Sequence, residues 1–554
     1  MPAPRTDGHA PLLWLAAPLV WGIILARVLG ATVPPVALAA TGLAVAACAC
    51  VLTLRERWFV RPVWGFLIIV SGALLAWACA LHREPPALPP ESFTPREAEV
   101  ALKIDRVFQT GKKFPRLSGL ATVSEAPRLQ PYLHGQPIAF SLWAEDIDRG
   151  EALPGATIRA RGKVTRLNPD DDLNGFEQYL VQSGYVLQIG QGDALQIEHT
   201  ASGFRRWCHH MNRRINTALH AGAETAGEQA LAGVAAAMFL GDKGELARSQ
   251  KETFIASGTM HLFAVSGLHV GIIAGAFALI LRLLRVPAPT AAALGLALLL
   301  LYVQIIGAPP SALRAFLMVA FYWGAQLFRR RPAPFSALLG SALAVLLIDP
   351  RQLFSAGFQL SYLVVAALLL YAAPLSEWAM ARLDPYRLIP ADSLSRFQRL
   401  LRYLLKILCA SLAVSVAAFI FASPLTIEYF NIFAPGAVLL NLILIPLATI
   451  VIVGALASAI IGLAAIPALG AIVNAAIRPV IWEMWAVVSS SITLPGGFWQ
   501  AGFRAEWVAP TASLALLLSL LAVSRWARHH PVAYLIPPAI LTPVLVFGAE
   551  FAKL

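Results

Sequence analysis

Three apolar runs open the chain, at residues 11–29, 33–54 and 62–81. Each approaches or exceeds the roughly 20 residues that cross a bilayer. Between residues 83 and 204 the pattern changes. Apolar and polar positions alternate along Val100–Val107, Gly119–Ser124, Pro137–Trp143, Ala156–Leu167 and Tyr185–Ile189, with turns at Glu145–Gly150 and Asn168–Asp172. Period-two alternation broken by Gly, Pro and Asp predicts a small all-β domain of five or six strands. A small OB-like barrel suits that number.

Helical patterning then returns. Residues 204–220 set Arg205, Arg206, His209, His210, Arg213 and Arg214 among Phe204, Trp207, Met211, Ile215 and Leu219, which predicts an amphipathic interfacial helix. Residues 226–240 predict an alanine-rich helix that stops at Gly241-Asp-Lys-Gly244. An apolar run from Phe254 to Leu281 follows. Further runs lie near 288–306, 311–328, 334–348, 352–373, 403–422, 435–464, 466–488, 510–524 and 532–549. The run 435–464 is too long for one untilted span and holds Pro446, so a kinked span or a span plus a re-entrant piece is expected. Residues 477–491, with Arg478, Trp482, Glu483 and Trp485, suit a partly interfacial position. The expectation is a polytopic α-helical membrane protein of about eleven or twelve spans with an inserted soluble β domain. It divides into N-terminal transmembrane helices at 1–82, the β-rich domain at 83–204, linker helices at 205–258 and a membrane domain at 259–554.

Composition agrees: 58% of the 554 residues are hydrophobic and 13% are charged. The net charge of +12 invites a nucleic-acid reading, but its distribution follows topology. Arg55, Arg57 and Arg61 lie between two apolar runs; Arg282 and Arg285, Arg329–Arg331, Arg382–Arg402 and Arg525 with Arg528 follow others. Such clusters mark cytoplasmic loops, and place the N-terminus inside and the β domain outside. The first run has no small-residue cleavage pattern and reads as an anchor. The β domain holds 13 basic and 16 acidic residues, a net charge of −3, which disfavours a basic groove over its whole surface. Arg159, Arg161 and Lys163 share one strand face, more simply a solvated face than a nucleic-acid patch. The five cysteines, Cys48, Cys50, Cys79, Cys208 and Cys409, imply neither a disulfide framework nor a metal site, and no cofactor motif is present.

Polar residues inside the apolar runs carry the candidate chemistry. In Phe254-Ile-Ala-Ser-Gly-Thr-Met-His-Leu-Phe-Ala-Val-Ser-Gly-Leu-His-Val-Gly271, a continuous helix at about 100° per residue puts His261, Ser266 and His269 on one side. Gly267, Gly271 and Gly275 fall on the other, a small-residue face for close helix packing. Ser311 and Arg314 open a later run, and Ser355, Gln359 and Ser361 another. The arginine loops bring all these to similar depth in the outer half, as expected of a shared cavity or pore mouth. Arg314 is costly in lipid unless it snorkels, is paired or meets an anion such as phosphate. Asn441 and Asn474 suit packing hydrogen bonds.

These stretches resemble the ComEC family of competence proteins. The resemblance is densest in His261–Gly271 with Phe254, Ser257, Gly258 and Thr259. It extends to Gly241-Asp-Lys243, Ser311–Ala315, Asp349–Ser361, Pro424, Asn441, Pro446 and Asn174–Leu180 before Gly184. It implies an inner-membrane channel that passes single-stranded DNA inward during natural transformation. Implied partners are competence pilus or DNA-receptor proteins outside, membrane lipids, a cytoplasmic ATPase or helicase and a separate nuclease. Many members continue into a metallo-β-lactamase-like domain; this sequence ends at Leu554 after an apolar run, so strand degradation is not expected of it. On this reading His261, Ser266, His269, Ser311, Arg314, Ser355 and Gln359 line the DNA path. Phe254, Phe263, Phe358 and Tyr362 are candidate base-stacking surfaces, though aromatics in apolar helices are usually core. The protein is not expected to be an enzyme. Two alternatives remain: a transporter or channel for a small anionic solute, and a membrane hydrolase using Ser266 with a histidine, for which no orienting acid is evident.

Overall fold

The computed structural model describes residues 12–553, apart from 31–32, 54–59, 84–92, 109–115, 128–132, 146, 149, 169–174, 183, 243, 245, 264, 465, 493–495 and 528–529. Arg55, Arg57, Arg528, Lys243, Asn174 and much of the two expected β-domain turns lie outside the described residues.

Helices α1 (Leu13–Leu29), α2 (Pro35–Thr53) and α3 (Val60–His82) lead into a closed barrel. Its strands are β1 (Arg96–Phe108), β2 (Arg116–Glu125), β3 (Pro137–Trp143), β4 (Thr157–Arg166) and β5 (Leu187–His199), with α4 (Gly175–Gln182) before β5. Around the barrel the order is β1-β2-β3-β5-β4; β3 pairs with β5 in parallel and the other pairs are antiparallel. The alternation seen in the sequence becomes the inward face: Val100, Leu102, Ile104, Ile138, Phe140, Leu142, Ile158, Ala160 and Val164 are all buried. Two of the three cations on the Arg159–Lys163 face stand beside carboxylates. Arg159 pairs with Glu198 and Glu99, and Arg161 lies 3.8 Å from Glu97. The Glu198 hydrogen bond, followed by Glu99, holds the Arg159 guanidinium above its ordinary range.

Helices α5 (Gly203–His220) and α6 (Ala226–Leu240) form a hairpin, not a lone surface helix. Thr225 starts α6 with a capping box to Glu228, and Gly241 ends it at φ 78°. At the closed end, Asn474 Nδ2 donates to the carbonyls of Ala218 (2.8 Å) and Ala221 (3.1 Å). At the open end, Tyr302 donates to the Phe239 carbonyl at 2.7 Å.

Then follow α7 (Arg248–Ala256), α8 (Gly267–Leu283), α9 (Ala288–Ile305), α10 (Pro310–Leu327) and α11 (Pro334–Ile348). Helix α12 (Ala356–Ala367) runs through a π-turn at Leu368–Ala372 into α13 (Ala373–Leu383). The chain continues through α14 (Arg396–Phe430), α15 (Ala437–Leu463), α16 (Pro467–Ser491), α17 (Val508–Trp526) and α18 (Ile536–Pro543). Among the described residues nine helical stretches are long and apolar enough to cross a membrane, fewer than the eleven or twelve expected. Apolar stretches in α1, α2 and α11 are shorter. The chain is a polytopic helical membrane protein. The run at 435–464 is one continuous helix, since Pro446 is accommodated inside α15.

Helix order gathers alternate ends on two faces. On one, Arg83 donates to the carbonyls of Leu347 and Ile348, and β6 (Ile432–Phe433), β7 (Trp499–Phe503) and β8 (Ala549–Lys553) join as a small sheet. The α8, α11–α12 and α10 polar segments belong to this face. Arg282, Arg285, Arg329–Arg331, Arg382 and Arg396 lie at the opposite helix ends.

Candidate functional site

The stretch around His261 is not one helix. Gly258 turns the chain at φ 66°, Met260–Leu262 is a single 3-10 turn, and α8 begins only at Gly267. His261 therefore does not share a helical face with Ser266 and His269. It is exposed, and its Nδ1 lies 2.9 Å from the Gly258 carbonyl.

Ser266 is the N-cap of α8. His269 Nδ1 accepts from the Ser266 N–H at 3.1 Å and lies 2.7 Å from Ser266 Oγ. Because Nδ1 accepts a backbone proton, neutral His269 carries its own proton on Nε2. The imidazole takes the place of the Glu or Gln in a capping box and satisfies the N-cap backbone N–H. His269 is fully buried, with Nε2 facing the Leu262 carbonyl region but outside hydrogen-bonding geometry.

The glycine face is a second correction. A β-carbon on Gly267 would come only to 3.8 Å from Ala315 Cβ, and on Gly271 or Gly275 it would meet nothing within 4 Å. Gly267, Gly271 and Gly275 are exposed, so they form no tight helix–helix seam within this chain.

Three of the remaining residues position backbone. Ser311 Oγ donates to the Val265 carbonyl at 2.6 Å, tying α10 to the turn before α8. Ser355 caps α12: its Oγ accepts from the Phe358 N–H at 3.3 Å and donates to the Gln352 carbonyl at 2.8 Å. Gln359 Nε2 donates to the Leu353 carbonyl at 3.0 Å, and its Oε1 accepts from Tyr429 at 3.2 Å. These bonds lock the turn before α12 against α14. Ser361 is half-buried on α12.

Arg314 is different. It is 6% exposed, and among the described residues no carboxylate lies within ion-pair distance. Its Nε is buried without a hydrogen-bond partner. The guanidinium closes on the first turn of α12: a β-carbon added to Gly357 would sit 3.0 Å from Nη2 and 3.6 Å from Nη1. Gly357 is itself exposed, so the cleft opens there. Tyr362, on the next turn of α12, lies within electrostatic reach of Arg314, with its buried hydroxyl beside Ser341. A cation beside a helix N-terminus meets the positive end of the helix dipole. An arginine at membrane depth already costs roughly 3 kcal/mol. The arrangement is unfavourable without a counter-charge.

The proposed stacking aromatics lie in the core. Phe254 and Phe263 are each 1% exposed and stack on one another, with Trp485 edge-on to Phe254. Phe358 and Tyr362 are also buried, with centroids 4.4 Å apart. No face of these rings is open to a base in this structure. The sequence reading missed Gly357 as a contact to Arg314; its signal was a glycine in the first turn of a helix, where a side chain from elsewhere can approach closely. Among the described residues no cluster of three or more His, Cys, Asp or Glu suited to a metal is present.

Comparison with known proteins gives a consistent result. The family model described as Competence protein matches residues 238–528. ComE operon protein 3 of Bacillus subtilis (strain 168) is 40% identical over 139 residues, 25% of this chain and 18% of that protein. Competence protein ComA of Neisseria gonorrhoeae is 30% identical over 243 residues, 42% of this chain and 34% of that protein. The matched parts thus span well under two thirds of either relative's length. No solved structure matches.

Proposed function

The chain belongs to the Competence protein family, and from that premise we propose that it is an inner-membrane channel passing single-stranded DNA during natural transformation. In this reading the face bearing Arg314 and the barrel is the outer one, and the basic helix ends are cytoplasmic. The barrel is OB-like and receives the strand from competence pilus or receptor proteins. The protein is a conduit, not an enzyme. A cytoplasmic ATPase or helicase pulls the strand, and a separate nuclease removes its complement.

The observation that carries this reading is Arg314: a buried, unpaired cation in a cleft between membrane helices, inside the matched region. A polyanion crossing an apolar layer needs such a cation. The Ser266–His269 contact does not favour a hydrolase, because helix capping accounts for it. The test is natural transformation of a deletion strain, with labelled DNA located in each compartment. The proposal expects transformation to be lost while DNA still reaches the outer compartment. Normal transformation would overturn it and favour transport of a small anion.

A further inference from the structure

We propose that Arg314, the first turn of α12 at Ala356–Gly357 and the Tyr362 hydroxyl form a binding site for one phosphate-ester anion. Each part contributes a different donor. Arg314 supplies a fixed fork of N–H groups, and its Nε has no protein partner. The first turn supplies backbone amides: Ser355 Oγ caps the Phe358 N–H and the Ser355 carbonyl takes the Gln359 N–H, so Ala356 and Gly357 retain donors that no intrahelical acceptor can reach. Tyr362 adds a buried hydroxyl beside Ser341, within electrostatic reach of Arg314.

The placement is not that of a snorkelling arginine, whose head would sit in water. Here the residue as a whole is buried, with its guanidinium turned against the N-terminal turn of a 12-residue helix, and Gly357 lacks the side chain that would push it away. The Arg314 fork and the first-turn amides converge with no carboxylate between them among the described residues. The missing acceptor is an anion of phosphate size and shape. A DNA backbone and a phospholipid headgroup both offer it; choosing the DNA strand as its source rests on the channel reading above, whereas the site itself does not.

The experiment uses the full chain in a phosphate-free, uncharged detergent and follows its thermal unfolding midpoint. Three probes are compared: dimethyl phosphate, a short oligothymidylate and phosphatidylglycerol. Wild type, Arg314→Gln and Gly357→Ala are titrated with each. Ligand that binds only the folded state raises the midpoint. Dimethyl phosphate should raise that of wild type by at least ~2 °C near saturation. The shift should vanish in Arg314→Gln and shrink in Gly357→Ala, where the new β-carbon displaces the guanidinium. An Arg314-dependent shift with oligothymidylate assigns the site to DNA; one with phosphatidylglycerol alone assigns it to lipid. Without ligand, Arg314→Gln should unfold no earlier than wild type, because it removes an uncompensated charge. No shift with any probe, or an undiminished shift in Arg314→Gln, would overturn the site. Failure of the channel reading is read separately, from transformation of the deletion strain.

Discussion

Among the described residues two buried arginines lie in membrane helices of this protein, and they are held differently. Arg478, on α16, is 8% exposed and pairs with Glu228 at 3.2 Å while Nη2 donates to the Ala221 carbonyl at 3.1 Å. Its Nε is buried without a partner, as in Arg314, but both of its terminal nitrogens are bonded, at the closed end of the α5–α6 hairpin where Gly222 at φ 75° makes the turn. Arg314 is buried as deeply, yet it faces a helix N-terminus and has no carboxylate. A buried charge with its partner supplied is explained by the fold. One without a partner points outside the fold, to something that binds.

Substitutions sharpen this contrast. Arg478→Met should have the largest effect on stability. It strips Glu228 and the Ala221 carbonyl of their partner at once, and breaking a buried pair costs up to several kcal/mol. Glu228 is 38% exposed on its side chain, which reduces the expected loss to about 2 kcal/mol. Thermal unfolding in detergent would read this as a lower midpoint; an unchanged midpoint would place Arg478 in Arg314's class. Ser266→Ala should cost about 1 kcal/mol through loss of the Oγ contact to the buried His269 Nδ1. Arg314→Met should be neutral or stabilising by about 1 kcal/mol, the reverse of Arg478→Met. A destabilisation equal to that of Arg478→Met would break the comparison. His269→Gln should be smallest, below about 0.5 kcal/mol, because glutamine restores the usual capping box. Transformation should survive that change, and its loss would show that the imidazole does more than cap a helix.

Much of the architecture was legible because it rests on local periodicity. The five strands follow the period-two alternation, although β5 runs on to His199, where alternation weakens at Gly190 and Gly192. The helix continuity was less legible. A helical wheel drawn through His261–Gly275 assumed one helix, but Gly258 at positive φ and Ser266 as a cap divide the stretch. The cap was hidden because histidine, not glutamate, stands three residues after the serine. The candidate site was half legible. Arg314 stood out as a charge in an apolar run. Its relation to Gly357 and Tyr362 arises from helix packing between α10 and α12, which no periodicity encodes. Ser311, Ser355 and Gln359 looked like pore-lining groups in the sequence; in the structure they bond backbone and hold the turns that place Arg314.

The central claim is that Arg314 lacks a protein partner because its partner is the transported strand. The most direct test is natural transformation in a deletion strain carrying Arg314→Gln at membrane levels matched to wild type. The account predicts transformation reduced by about two orders of magnitude, the loss expected when a buried cation that meets a phosphate is removed, with the protein at least as stable as wild type. Transformation at the wild-type frequency would contradict it.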